Sequence, residues 1–255
     1  MHRILIFNLG GTSTKLAVFD EETLVVEGTI RHTDREIQGC TDNAEQIAFR
    51  RGAIEAWLLE NHISLDDLSA VVIRSSGAGL CKKGGTYLVT GKLRDGMYAA
   101  YRSSFPKAPH PSFIVLPLAD EILGSRPVPI YIVDPDGVDE FQDVAYITGH
   151  PDLPRSSGFH VLNHKAIARK ASRDLGKRYE DADLVVAHMG GGISIAAHRH
   201  GLVVDSTSGG SAGEGPFGTN RTGPLPLNKL VDRCFSGAYT KSEIMDLIMT
   251  QGGFL

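Results

Sequence analysis

Cysteine is scarce in this chain: its 255 residues include three, Cys40, Cys81 and Cys234. Widely spaced and odd in number, they fit neither a disulfide framework nor a zinc knuckle, and a reducing, cytoplasmic setting is expected. Long hydrophobic runs are also missing. The longest, residues 113–119, is broken by Pro117, far short of the ~18 apolar residues of a membrane span. Residues 4–7 (ILIF) are too few for a signal-peptide core. Neither sign of charge dominates, with 26 basic against 30 acidic residues, a net charge of −4 and a pI near 6.2. Neither nucleic acid nor a membrane surface is therefore expected as a partner. Hydrophobic residues reach 42%, which excludes a disordered chain and suffices for a packed core. Glycine alone is in excess: there are 29, where average usage of roughly 7% would give about 18.

Those glycines punctuate a strand-rich pattern. Residues 3–9 (RILIFNL) read as a buried strand, Gly10-Gly11 interrupt it, and residues 14–20 and 23–32 continue as second and third strands. Asp42 with Glu45 resembles a capping box opening a long helix over residues 43–62, with Ile47, Ile54, Trp57 and Leu58 on its apolar face. Residues 70–74 (AVVIR) read as a short strand, and residues 77–85 as a loose glycine-rich stretch. Further on, residues 113–123 read as a helix, 129–133 (PIYIV) as a strand ending at Asp134, and 162–175 as a basic amphipathic helix before Gly176. The scheme then restarts. Residues 184–188 (LVVAH), a glycine triplet, residues 193–199 and residues 202–205 repeat strand, glycine turn, strand, turn and strand, followed by helices over 227–235 and 241–249. Asn8 and His188 occupy matching positions, which suggests a duplicated fold, although two unrelated hairpins would also fit. A first domain over residues 1–176 and a second over 177–255 are expected. The second copy has room for only part of such a fold, so ~100 residues of a usual second domain would be absent. The chain is then either a fragment or a natural short form.

Chemistry concentrates in the glycine segments. In Asn8-Leu9-Gly10-Gly11-Thr12-Ser13-Thr14-Lys15, glycines let backbone N–H groups approach an anion, the hydroxyls of Thr12, Ser13 and Thr14 add donors, and Lys15 adds charge. It lacks Walker A spacing and is followed by a strand. An ordinary polar hairpin would read the same, but His188-Met189-Gly190-Gly191-Gly192-Ile193-Ser194 repeats the design, and two such hairpins facing one another could hold a polyphosphate between two domains. A third stretch, residues 209–223, contains Arg221 and is too long for a turn; it reads as a functional loop or, alternatively, a linker. Arg74 ends an apolar strand, where its guanidinium could meet an anion or simply face solvent. Asp134 closes another strand, as a water-mediated magnesium ligand or as a turn cap before Pro135. His160 has no ligand set for zinc around it in sequence and is either structural or catalytic. His164, one turn on, is equally open, and His198 and His200 are expected to face solvent.

Residues 7–19 (FNLGGTSTKLAVF), 84–89 (GGTYLV), 157–169 (SGFHVLNHKAIAR), 186–198 (VAHMGGGISIAAH), 213–223 (GEGPFGTNRTG) and 235–243 (FSGAYTKSE) closely resemble the butyrate kinase family, sister of the acetate kinases. The motifs run in order over nearly the whole chain. The resemblance implies an α/β fold of two ribonuclease H-like domains of the actin-like ATPase superfamily, the second incomplete here. It implies ATP and Mg2+, and reversible phosphoryl transfer to a short-chain carboxylate: ATP and butanoate giving butanoyl phosphate and ADP. A branched-chain carboxylate or acetate kinase, or an inert truncated kinase fragment, is the alternative. By the same resemblance, Asn8, Thr12, Ser13, Thr14 and Lys15 form the first phosphate loop, and His188, Gly190, Gly191 and Gly192 the second. Arg74 and Arg221 match substrate and γ-phosphate clamps, His160 the group that steadies the transferring phosphoryl, and Asp134 the magnesium-site aspartate. Dimers or larger homo-oligomers are implied for a complete chain. The chain departs from the family at Ser75-Ser76-Gly77, at Leu9 and at Gly11, and the family's adenosine segment lies beyond the matched motifs.

Overall fold

A computed structural model describes residues 1–104, 111–190, 192–207 and 215–254. Its contacts divide the chain into two units, residues 1–81 with 85–135, and residues 82–84 with 136–255.

The first unit is built on a six-stranded sheet, order β3-β2-β1-β4-β6-β5. β1 (Arg3–Leu9), β2 (Ser13–Asp20) and β3 (Thr23–Arg31) form an antiparallel meander; β4 (Ala70–Ile73) and β6 (Ile130–Val133) extend it in parallel, and β5 (Thr86–Leu88) closes the edge antiparallel. Alternation decides which face is buried. Leu5 and Phe7 lie opposite Val18 and Leu16 on one side and Val71 and Ile73 on the other. All six are at most 2% exposed. Helices α2 (Asn43–Glu60) and α4 (Pro111–Leu123) pack together, and α3 (Gly91–Ser103) packs on α4. A short α1 (Asp34–Gly39) follows the meander, opened by a Thr33–Glu36 capping box at its N-terminus.

The second unit contains an antiparallel meander, β7 (Leu184–Met189), β8 (Ile193–Arg199) and β9 (Leu202–Ser206). Helix α5 (Val161–Asp174) packs on β7, and α6 (Leu227–Cys234) touches α7 (Lys241–Met249). The two meanders match in detail. Asn8 pairs with Lys15 and His188 with Ser194, and the pairing of second to third strand slips at Val18/Phe19 in one and Ala197/His198 in the other, the same distance from the hairpin. The repeat expected from the glycine spacing is therefore present as topology.

The expected boundary at residue 176 is corrected: the structure divides at Pro135/Asp136. The reason is packing. The α5 residue Lys165 is buried against Glu140 at 2.8 Å, and Glu140 also accepts the Val203 N–H of β9 at 2.9 Å and the Gly84 N–H at 2.6 Å. A buried pair with its remaining lone pairs satisfied ties α5 to the strands that follow it. β5, α1 and α3 are further departures, since none was expected. Gly91 and Gly96 obscure α3 in the sequence.

Candidate active site

In the first unit the topology gathers three of the expected residues. β1, β4 and β6 run parallel and adjacent, and Phe7 lies opposite Ile73. Asn8, Arg74 and Asp134 follow from those rows, so all three stand at the C-terminal ends of neighbouring strands, where open α/β sheets bind ligands. The Arg74 backbone N–H donates to Phe7 O at 3.0 Å, fixing the step between strands. Asp134 is fully buried with φ at +41°, a conformation uncommon outside glycine. Its Oδ1 accepts the Gly85 N–H at 2.8 Å, and its own N–H donates to Gly85 O at 2.9 Å. The β5 edge thus holds the carboxylate in place. Among the described residues no three His, Cys, Asp or Glu side chains converge as a metal cage. A carboxylate held in place by a backbone N–H is the oxygen-ligand type magnesium takes, one or two protein carboxylates beside waters and substrate phosphates.

The first glycine loop owes its shape to a residue the sequence reading passed over. Arg50 of α2 is 0% exposed. Its Nη2 donates to Gly10 O and Gly11 O, both at 2.9 Å, and its Nη1 to Ser13 O at 3.1 Å and Thr14 Oγ1 at 2.9 Å. The remaining loop carbonyl, Thr12 O, accepts the His32 N–H at 2.9 Å. Every carbonyl from Gly10 to Ser13 is therefore turned to a donor inside the fold. Burial draws the Arg50 guanidinium down to about 10, still cationic at neutral pH. Gly11, Thr12 and Lys15 are exposed, and Ser13 is half-buried. Asn8 and Lys15 line a cavity of about 530 Å³. Thr14 requires a correction. It is 0% exposed, and its hydroxyl is taken by Arg50 and by His32 Nε2 at 2.9 Å, so it shapes the loop from beneath and offers no donor outward.

In the second unit the histidines assemble. The His160 and His188 rings stack with centroids 3.8 Å apart and planes 12° from parallel. His164 and His198, both at most 2% exposed, continue the stack at 5.8 Å. Ser194 Oγ lies 2.9 Å from His160 Nδ1 and 2.8 Å from His164 Nε2. His198 was expected at the surface; instead its Nδ1 meets the Tyr179 hydroxyl at 2.7 Å, because strand alternation in β8 turns it inward with Ser194 and Ala196. Gly190 and Gly192 lie between β7 and β8, while Gly191, residue 208 and residues 209–214 of the third glycine segment lie outside the described residues. Arg221 is half-buried on the loop of residues 215–223, and its carbonyl accepts the Gly218 N–H at 3.0 Å.

Burial, with the neighbouring histidine charge second, depresses His164 and His198 to about 4 each. Each ring is neutral in the fold but takes a proton in the unfolded chain below about pH 6.5. The unfolded state then binds more protons, so stability falls with pH. Denaturant titrations should lose stability between about pH 6.5 and about pH 4, by at most ~3 kcal/mol per ring. A flat profile across that window would contradict buried neutral rings.

The described residues take the fold of the acetate and propionate kinases, an actin-like ATPase fold. Porphyromonas gingivalis acetate kinase superposes with a TM-score of 0.72 at 18% identity, over 99% of this chain and 69% of that one. A Francisella tularensis propionate kinase gives 0.70 at 18% identity, with the same coverage. A profile of the acetokinase family matches residues 150–246. A probable butyrate kinase of Clostridium botulinum is 40% identical over 100% of this chain and 70% of its own length. Butyrate kinase 1 of Clostridium acetobutylicum is 41% identical over 99% and 69%. The chain belongs to the acetokinase family, whose chemistry is carboxylate phosphotransfer. Among the described residues no helix is long and apolar enough to cross a membrane.

Proposed function

We propose that this chain is a butyrate kinase, transferring the γ-phosphoryl group of ATP to butanoate to give butanoyl phosphate and ADP. The observation that carries this reading is the row of Asn8, Arg74 and Asp134 on adjacent strand ends beside a loop whose carbonyls are all turned inward. A carboxylate is already ionised at pH 7, so attack needs no general base. A carboxylate oxygen forms the new P–O bond as the bond to the ADP oxygen breaks, and no proton moves. The obstacle is anion meeting anion, which positioning and charge neutralisation overcome.

In this reading Asn8, the loop of Thr12, Ser13 and Lys15, and the hairpin of His188 and Gly190, Gly191 and Gly192 take the nucleotide phosphates. Arg74 holds the carboxylate, Arg221 the γ-phosphate, and His160 donates to the phosphoryl oxygens in transfer. Asp134 would hold magnesium, which when bound neutralises charge on the ATP phosphates. The free thiols support a cytoplasmic setting, and the family likeness supports a homo-oligomer for a complete chain. Chain-length preference follows from pocket depth at about 1–3 kcal/mol per methylene. Trapping acyl phosphate with hydroxylamine should show kcat/KM for butyrate at least ~100-fold above acetate, with isobutyrate between. Acetate as the best substrate would overturn the assignment.

A further inference from the structure

We propose that His160 and His188 act as a matched pair of neutral N–H donors, each carrying its proton on Nε2, and that Ser194 and Asn163 are the positioning residues that keep it there. What the pair donates to, a phosphoryl oxyanion, rests on the kinase reading above; where the protons sit rests on geometry alone.

His188 is the simpler case. Its Nδ1 lies 2.9 Å from the Asn163 side-chain Nδ2. An amide nitrogen only donates, so Nδ1 must accept, and a neutral ring then has its proton on Nε2. That nitrogen lies beside the second glycine hairpin: a Cβ on Gly190 would sit 3.2 Å from it.

His160 is set through two residues. Ser194 Oγ has one proton and two acceptor lone pairs. Its neighbours are His160 Nδ1 at 2.9 Å, His164 Nε2 at 2.8 Å and the His160 backbone N–H at 3.5 Å. His164 is 0% exposed, and its Nδ1 has no hydrogen-bond partner among the described residues. If Nδ1 bore the proton, a buried N–H would be orphaned; if it is bare, only a lone pair is. The second arrangement costs less. His164 therefore donates from Nε2 to Ser194, and the hydroxyl donates in turn to His160 Nδ1. The serine's capacity is then filled, with one bond donated and two accepted. The proton of His160 is left on Nε2, as in His188.

Stacking keeps the pair from being doubly charged: two imidazolium rings with centroids 3.8 Å apart would repel strongly, as like charges in contact do, and above the ordinary histidine range both rings are neutral. The arrangement gives a polyanion two uncharged donors side by side.

The test is long-range proton–nitrogen correlation spectroscopy of isotope-labelled histidine in the full 255-residue chain at about pH 8, above the ordinary histidine range. Expected are bare Nδ1 and protonated Nε2 in both His160 and His188. A proton on Nδ1 of either ring would overturn the proposal. Asn163→Asp, at an exposed position where folding is not at risk, offers a carboxylate that only accepts. It should draw a proton onto His188 Nδ1 and leave His160 unchanged; no change at His188 would remove Asn163 from its role. Ser194→Ala should mix the His160 tautomers without touching His188. Inorganic phosphate should shift both rings in the parent chain and bind at least ~10-fold more weakly to Asn163→Asp. Tautomers as stated with no response to phosphate would overturn the pair as an anion site. A phosphate response without acyl phosphate formation would sink the kinase reading and leave the pair standing.

Discussion

Arg50→Met unfolds at ~3–5 kcal/mol less cost than the parent protein and loses its grip on ATP. The side chain is fully buried and its two terminal nitrogens serve Gly10 O, Gly11 O, Ser13 O and Thr14 Oγ1. Methionine fills much of the volume but leaves Gly10 O and Gly11 O without donors and takes one of two partners from Ser13 O and Thr14 Oγ1, and orphaned buried polar groups carry penalties of about 1–3 kcal/mol each, not fully additive. The loop peptides are then free to rotate, and the N–H groups proposed to meet phosphate rotate with them. Arg50→Lys separates the two consequences. An ammonium keeps the charge but lacks the planar fork that reaches acceptors on both sides. That variant should fold, with its KM for ATP raised ~10- to ~100-fold, since misplacement by about an ångström costs that much. Urea unfolding and ATP saturation curves read both effects. Arg50→Lys with an unchanged KM would show that the guanidinium supports the fold without shaping the phosphate loop.

Arg221→Ala should lower phosphoryl transfer ~10²- to ~10³-fold, the loss typical of removing one fixed donor to developing negative charge. Arg74→Ala should lose a similar factor, expressed more in the KM for carboxylate, because its strand-end position is read as the carboxylate clamp. The comparison that matters is ATP consumption with and without butyrate. An ATPase built on the same fold transfers to water and has no use for a carboxylate clamp, so it should keep its turnover in Arg74→Ala. Turnover that survives both substitutions would place phosphoryl transfer elsewhere.

The hairpins were legible because strand alternation and glycine pairs are local signals. The strand-end positions of Arg74 and Asp134 were legible for a related reason: each is the first polar residue after an apolar run. Arg50 was not legible in the same way, since arginine in a helix ordinarily faces water. Its spacing from Ile47 and Ile54 put it on the buried face of α2, and that was the available signal. Thr14 looked like its hydroxyl neighbours, but alternation from Leu16 and Val18 turns it inward. His198 obeyed the same alternation, but its partner Tyr179 lies 19 residues away in sequence and no local pattern announces it. The boundary at residue 176 failed because Lys165 and Glu140 are a long-range pair, and no local pattern announces which strands a helix will join.

The central claim is that a carboxylate oxygen itself attacks the γ-phosphorus. Butyrate labelled in both carboxylate oxygens with heavy oxygen, incubated with ATP and magnesium and followed by phosphorus NMR, tests it directly. The account predicts butanoyl phosphate with one heavy oxygen bridging carbon and phosphorus, and unlabelled ADP. Inorganic phosphate formed at the same rate with butyrate present or absent, and no labelled acyl phosphate, would contradict it.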